Sequence, residues 1–152
     1  MEIRNLLIDG CLVVLANNYV GRLGYIYGQG PFIIPITYYH DPEKKCIISY
    51  AAEGHKLFAM RQYNKIALQV DEITTIQNWR SVLVQGRYEE LEGSDAKFYL
   101  HKFATGVQDV LATKDKETPK FIKDFSSKLD TRGLPIVYRM HIDDISGKIR
   151  EN

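Results

Sequence analysis

Apolar and polar residues alternate with a period of two along much of this chain. Ile66, Leu68 and Val70 are interleaved with Ala67, Gln69 and Asp71, and Val82, Val84 and Tyr88 share one parity of the segment 78–91. Such alternation predicts strands buried on one face. Gly86 falls on the same parity, where glycine predicts a bulge or a bend. Ile136, Tyr138, Met140 and Ile142 predict a last strand before Ser146-Gly147-Lys148. Further strands are predicted at 11–16, 19–27, 32–39 and 46–51, with turns at Asn17–Asn18, 28–31 and 40–45. Pro35 stands inside the run 32–39. Proline removes a ladder donor, so Pro35 is expected at a sheet edge, a bulge or a barrel opening.

Helical spacing appears elsewhere. Residues 2–9 place Ile3, Leu6 and Leu7 on one helical face, with Gly10 as a stop. Leu57, Phe58, Met60 and Arg61 predict a helix over 54–63. Ser94 is a candidate N-cap for a helix from Asp95 to about Leu111, with Phe98, Phe103 and Val107 as its inner face. Thr118 and Pro119 predict another helix start, followed by a stripe of Phe121, Ile122, Phe125 and Leu129 read as core contact or dimer surface. A turn is expected at 131–135. Short turns between most strands favour antiparallel pairing. The expected fold is therefore mainly β with flanking helices (α+β), a small β-barrel of six or seven antiparallel strands.

Composition narrows the function classes. The 152 residues suit one domain over 1–152. Twenty basic and 19 acidic residues give a net charge of +1, which disfavours a free-standing nucleic-acid binder. No run of eighteen apolar residues predicts a membrane span, and no secretory signal is visible, so a soluble, cytoplasmic protein is expected. Cys11 and Cys46 lack CxxC spacing and are expected to be buried free thiols. His40, His55, His101 and His141 lie in different elements without i, i+4 pairing, so no metal site is expected. The acidic neighbours Glu89–Glu90 and Asp143–Asp144 point to opposite faces of strands, so neither pair forms one pocket.

The stretch "SYAAEGHKLFAMRQ" (49–62) carries the most specific chemistry. A helix starting near Gly54 presents unpaired N–H groups that favour an anion. Gly54 permits close approach of a ligand, Lys56 adds a full charge, and Ser49 adds a hydroxyl. Together they would suit one phosphate. Equally, Glu53 and Gly54 could form a plain turn with Lys56 in water, and composition and spacing leave both readings open. The GxxxxGK[ST] pattern of a P-loop is absent.

The segments "GRLGYIYGQGPFIIPITYYH", "IISYAAEGHKLFAMRQYNKIALQVDE", "WRSVLVQGRYEEL" and "VYRMHIDDISGK" stand in a recognisable order. From about residue 3 to 148 the chain resembles the pyridoxamine 5'-phosphate oxidase-related flavoproteins, in the branch that includes nitroimidazole-resistance proteins. The resemblance implies an FMN-binding split β-barrel, a homodimer with flavin sites at the interface. It implies that Pro35, Ile36 and Thr37 run along the isoalloxazine ring. Ser49, Tyr50 and Ala51 would lie beside the ring and ribityl chain, and Gly54, His55 and Lys56 would hold the phosphate. Trp79, Arg80 and Ser81 match a W/Y-x-S-V segment close to the flavin, with Arg80 a second phosphate or ring-edge candidate.

Two departures stand out. Lys65 occupies a position where family members often carry proline, which should alter a turn. The C-terminal residues that recognise pyridoxal phosphate in the true oxidases have no counterpart after Gly147 and Lys148, so pyridoxamine phosphate is not the expected substrate. The expected activity is reduction of a small electrophile, such as a nitroaromatic or quinone. No residue stands out as a general acid; Tyr50 and His55 are the nearest candidates. The alternatives are a flavin-binding or storage protein without turnover, and a haem-binding barrel with His55 or His141 as axial ligand.

Overall fold

In the computed structural model, which describes residues 2–114 and 135–152, the alternating segments pair into one antiparallel sheet. Its strands are β1 (Arg4–Asn5), β2 (Val20–Tyr27), β3 (Gly30–Thr37), β4 (Tyr39–Asp41), β5 (Cys46–Ala51), β6 (Lys65–Thr75), β7 (Asn78–Leu91) and β8 (Ile136–Arg150). The helices are α1 (Ile8–Asn17), α2 (His55–Gln62) and α3 (Gly93–Lys114). The order across the sheet is β3-β2-β6-β7-β8-β5-β4, with β1 paired to β8.

Strands from both ends of that order share one core. Leu23 and Tyr25 of β2, Ile36 of β3, Ile47 and Ala51 of β5, Leu68, Val70, Val82, Val84 and Tyr138 form a single buried cluster. The sheet therefore curls round on itself. No backbone ladder joins β3 to β5. Instead the Ser49 Oγ, buried on β5, donates to the Thr37 carbonyl at the end of β3 over 2.7 Å. This is the split in the barrel.

Both faces of β5 are covered. Ile47 and Ala51 face the barrel core, whereas Cys46 and Ile48 pack with Leu100, Phe103, Val107 and Leu111 of α3. Helix α1 joins the barrel core through Cys11, Val14 and Leu15, spaced i, i+3, i+4. Helix α2 buries Leu57 and Met60 completely, together worth about 3–6 kcal/mol of transfer free energy. That anchoring fixes where α2 begins.

The two cysteines are buried and unpaired, and burial pushes the Cys46 thiol up to about 11. Pro35 lies on β3, an edge strand, opposite Arg22, as its missing N–H requires. The β7–β8 register shifts between Gln85 and Gly86, the irregularity that the glycine predicts.

Several expectations are corrected. The N-terminal helix over 2–9 and the strand over 11–16 are replaced by the short β1 and by α1. The contiguous apolar run 11–16 reads as a strand, yet its buried residues keep helical spacing and Val13 is half exposed. Gly10 sits within α1 rather than stopping a helix, and a Cβ there would meet Leu6 Cδ1 at 2.6 Å. Strand β4 occupies the first part of the predicted turn 40–45, and β8 continues past Ile142 to Arg150. Phe98 is 58% exposed, and Tyr99 and Leu100 take its place on the inner face of α3. The stripe at 121–129 and the turn at 131–134 lie outside the described residues.

Candidate functional site

From Ala51 the chain leaves β5 through Ala52, Glu53 and Gly54 and enters α2 at His55. Gly54, the N-cap, has extended backbone and no capping side chain. The first backbone bond of the helix runs from the Phe58 N–H to the Gly54 carbonyl, 3.1 Å. The N–H groups of the first turn thus carry the positive end of the helix without a side-chain acceptor from the cap. Lys56 stands in the same turn, half-buried, and forms no ion pair among the described residues. Burial lowers its pKa below the ordinary lysine value. A cation held in this way is better solvated by an incoming anion than by the protein around it.

His55 lies among aromatic rings of the β2–β3 hairpin. Its centroid is 4.9 Å from Phe32 and 5.0 Å from Tyr27, both edge-on, and 5.8 Å from Tyr25. Its Nδ1 is 3.1 Å from the Tyr25 hydroxyl. Tyr25 itself stacks on Phe32 at 5.5 Å. The hairpin turns on Gly28 and Gln29, with Gly28 at φ 62°, which glycine adopts without strain. That tight turn sets Tyr25 and Phe32 opposite one another on the inward face, beneath the start of α2.

A second tether comes from Arg61. It holds Glu53 through two hydrogen bonds (3.0 and 2.5 Å) and donates from Nε to Glu90 on β7 at 2.6 Å. Tyr88 also donates to Glu90, at 2.7 Å. The loop before α2 is thus clamped to the end of the same helix, and the helix to β7. Arg61 holds the Glu90 carboxyl below the usual glutamate value, with a smaller contribution from Tyr88. A depressed carboxylate adds stability above its unfolded pKa, near 4.3, and loses it as pH falls through the folded value. The protein is therefore expected to lose stability on acidification below about pH 4.5. Glu90→Gln should flatten that limb of a melting-temperature profile, and an unchanged limb would remove Glu90 from it.

The remaining candidates fall into two groups. Pro35, Ile36 and Thr37 meet Ser49, Tyr50 and Ala51 across the split, through the bond from Ser49 to Thr37. Ser49 is buried and its proton is engaged there. Tyr138, buried beside Ser49, has its phenol pushed up to about 12 by desolvation. Ile36 belongs to the core, and Tyr50 turns towards α3, edge-on to Phe103 at 5.5 Å. Pro35 and Thr37 have the opposite parity to Ile36 and face outward.

Trp79, Arg80 and Ser81 start β7, paired with Ile73, Glu72 and Asp71 of β6. With Asn78, Ile149 and Arg150, Trp79 and Arg80 line a cleft of about 270 Å³. Ser81 accepts from Gln69 at 3.0 Å. Pro35 is level with Arg22, Gln69 and Leu83 across β2, β6 and β7, so Leu83 lies three strand spacings, about 14 Å, from it, and Trp79 stands four residues further along β7. Within one chain the Trp79 segment is therefore set apart from Pro35.

Tyr25, Tyr27, Phe32, Arg61 and Glu90 escaped the sequence reading of the site. The inward parity of Tyr25 across a two-residue turn from Phe32 was the available signal. Nothing local linked either residue to His55. Among the described residues no group of three or more His, Cys, Asp or Glu side chains could hold a metal ion, and no helix is long and apolar enough to cross a membrane.

Comparison with known proteins adds the ancestry. An uncharacterized protein of Rhizobium meliloti (strain 1021) is 34% identical over 149 residues, 97% of this chain and 95% of the relative. The crystal structure of a FAD-binding protein from Mesorhizobium loti superposes with a TM-score of 0.75 at 27% identity, covering 100% of this chain and 99% of that one. A candidate 5-nitroimidazole antibiotic resistance protein from Bacteroides thetaiotaomicron shares the fold at 10% identity, with a TM-score of 0.68 over 98% of this chain and 89% of that one. The sequence model of the family described as pyridoxamine 5'-phosphate oxidase matches residues 9–149. With its split antiparallel barrel and this match over nearly its whole length, the chain belongs to the pyridoxamine 5'-phosphate oxidase family.

Proposed function

We propose that this protein is a flavin-dependent oxidoreductase that holds FMN with its phosphate at the start of α2 and reduces a small electrophile such as a nitroaromatic or quinone. The observation that carries this reading is the uncapped first turn of α2 with Lys56 half-buried beside it. The donor set fits a phosphate: backbone N–H groups at a helix N-terminus, a lysine without a carboxylate partner among the described residues, and Gly54, where a Cβ would meet only the Ala52 carbonyl oxygen at 3.9 Å. The FAD-binding description of the Mesorhizobium loti protein supports a flavin. Bound flavin would supply hydride and one-electron transfer.

The chain's own residues would bind and orient. Gly54, His55 and Lys56 would take the phosphate. The outward edge of β3 at Pro35 and Thr37, and the β5 end at Ser49–Ala51, would border the ring. Ile36 and Tyr50 pack elsewhere and would contribute backbone only.

A homodimer would supply the rest. Val20, Ile33, Ile73 and Leu83 are 42%, 73%, 68% and 41% exposed on the outward face of β3-β2-β6-β7, the face that also carries Pro35 and Trp79. These exposed apolar side chains, set among Arg22, Gln69 and Asp71 on the same face, favour a second copy. Across it, Trp79, Arg80 and Ser81 of one copy would approach the flavin of the other. Ile33→Asp with Leu83→Glu is expected to give a monomer with weakened flavin binding in sedimentation and titration. A dimer that persists would move the interface elsewhere.

Turnover decides between enzyme and store. FMN-loaded protein, given a nicotinamide donor and a nitroaromatic or quinone acceptor, is expected to oxidise the donor catalytically. A tightly bound but inert flavin would identify a storage protein instead.

A further inference from the structure

We propose that Tyr25 is a positioning residue that sets the ring orientation and tautomer of His55, so that His55 presents its Nε2–H to an anion beside Lys56. The inference rests on the phosphate reading above and assigns the two residues distinct tasks within it.

Tyr25 is 5% exposed, and its hydroxyl reaches His55 Nδ1 at 3.1 Å. A phenol is the better donor and an imidazole nitrogen the better acceptor, so the bond runs from Tyr25 to Nδ1. The ring proton of neutral His55 then sits on Nε2. Nε2 makes no hydrogen bond among the described residues, and Tyr27 and Phe32 stand edge-on to the ring. His55 is the first residue of α2, so this donor stands at the same helix end as the uncapped N–H groups and Lys56. Without Tyr25 the imidazole could as well carry its proton on Nδ1 and offer a lone pair to the anion.

The test is a double-mutant cycle on FMN affinity, read by quenching of flavin fluorescence, with Tyr25→Phe and His55→Ala. Tyr25→Phe is expected to weaken binding about tenfold, as loss of an orienting partner does elsewhere. In the His55→Ala background the same substitution should have no further effect, because its task is gone. Nitrogen-15 NMR of the flavin-free protein should show an Nε2–H tautomer for His55 that becomes mixed in Tyr25→Phe. That readout is independent of cofactor. Equal affinity of Tyr25→Phe and the unaltered protein would overturn the proposal, as would equal losses in both backgrounds or an Nδ1–H tautomer at the outset. If Lys56→Ala still weakens binding in those cases, the phosphate reading stands and only the role of Tyr25 falls. Failure of the unaltered protein to bind FMN would overturn both.

Discussion

Replacing Lys56 with alanine is expected to weaken FMN binding by about ten- to a hundredfold while leaving the fold as stable as before. The affinity loss follows from a charged hydrogen bond to a phosphate, which is worth about 1.5–3 kcal/mol. The unchanged stability follows because Lys56 has no ion pair among the described residues to lose. Burial disfavours the Lys56 charge and lowers its pKa, so truncation also removes a desolvation cost. Leu57 and Met60, both fully buried, continue to anchor α2. Affinity and melting temperature should therefore part company in this variant. A variant that binds FMN as tightly as the unaltered protein would take the phosphate away from α2.

Replacing Gly86 with alanine is expected to destabilise the fold by about 3 kcal/mol or more, within the upper range for overpacked sites. At this glycine β7 passes the register shift of β8, and a Cβ built there would stand 1.9 Å from the carbonyl oxygen of His141. The obstacle is backbone, which cannot rotate aside as a side chain can. Relief requires β7 and β8 to separate where Tyr88, Tyr138 and Met140 pack together in the core. For a domain of this size that loss lowers the melting temperature by about 6–12 °C. A shift of a degree or two would mean that the strands can part there cheaply.

How far the sequence reveals this protein varies along the chain. Strands β6 and β7 were legible because Ile66, Leu68, Val70, Val82 and Val84 alternate with polar neighbours and face one core. Pro35 and Gly86 were legible for a related reason, since each carries a backbone constraint that only an edge or a bulge satisfies. The N-terminal segment was not. Six consecutive apolar residues suit a strand or a helix equally, and contact with the barrel decided for α1.

Within the site, the start of α2 was readable from Gly54, His55 and Lys56 because helix ends have a local chemistry. The Tyr25–His55 bond was not, since it joins residues thirty positions apart through a hairpin whose exact register decides the contact. Nor was the engagement of Ser49 by Thr37, which depends on the barrel curling until β3 meets β5. The separation of Trp79 from Pro35 depends in the same way on strand order, which no local pattern contains.

The central claim is that the start of α2 is a flavin phosphate site. Its most direct test is the visible absorption spectrum of the purified protein before and after addition of FMN. A phosphate site at the start of α2 predicts a flavin spectrum whose bands shift and sharpen on binding and saturate with added FMN. Added FMN that keeps its free-solution spectrum would contradict it, and a haem band in the purified protein would move the functional site to a histidine.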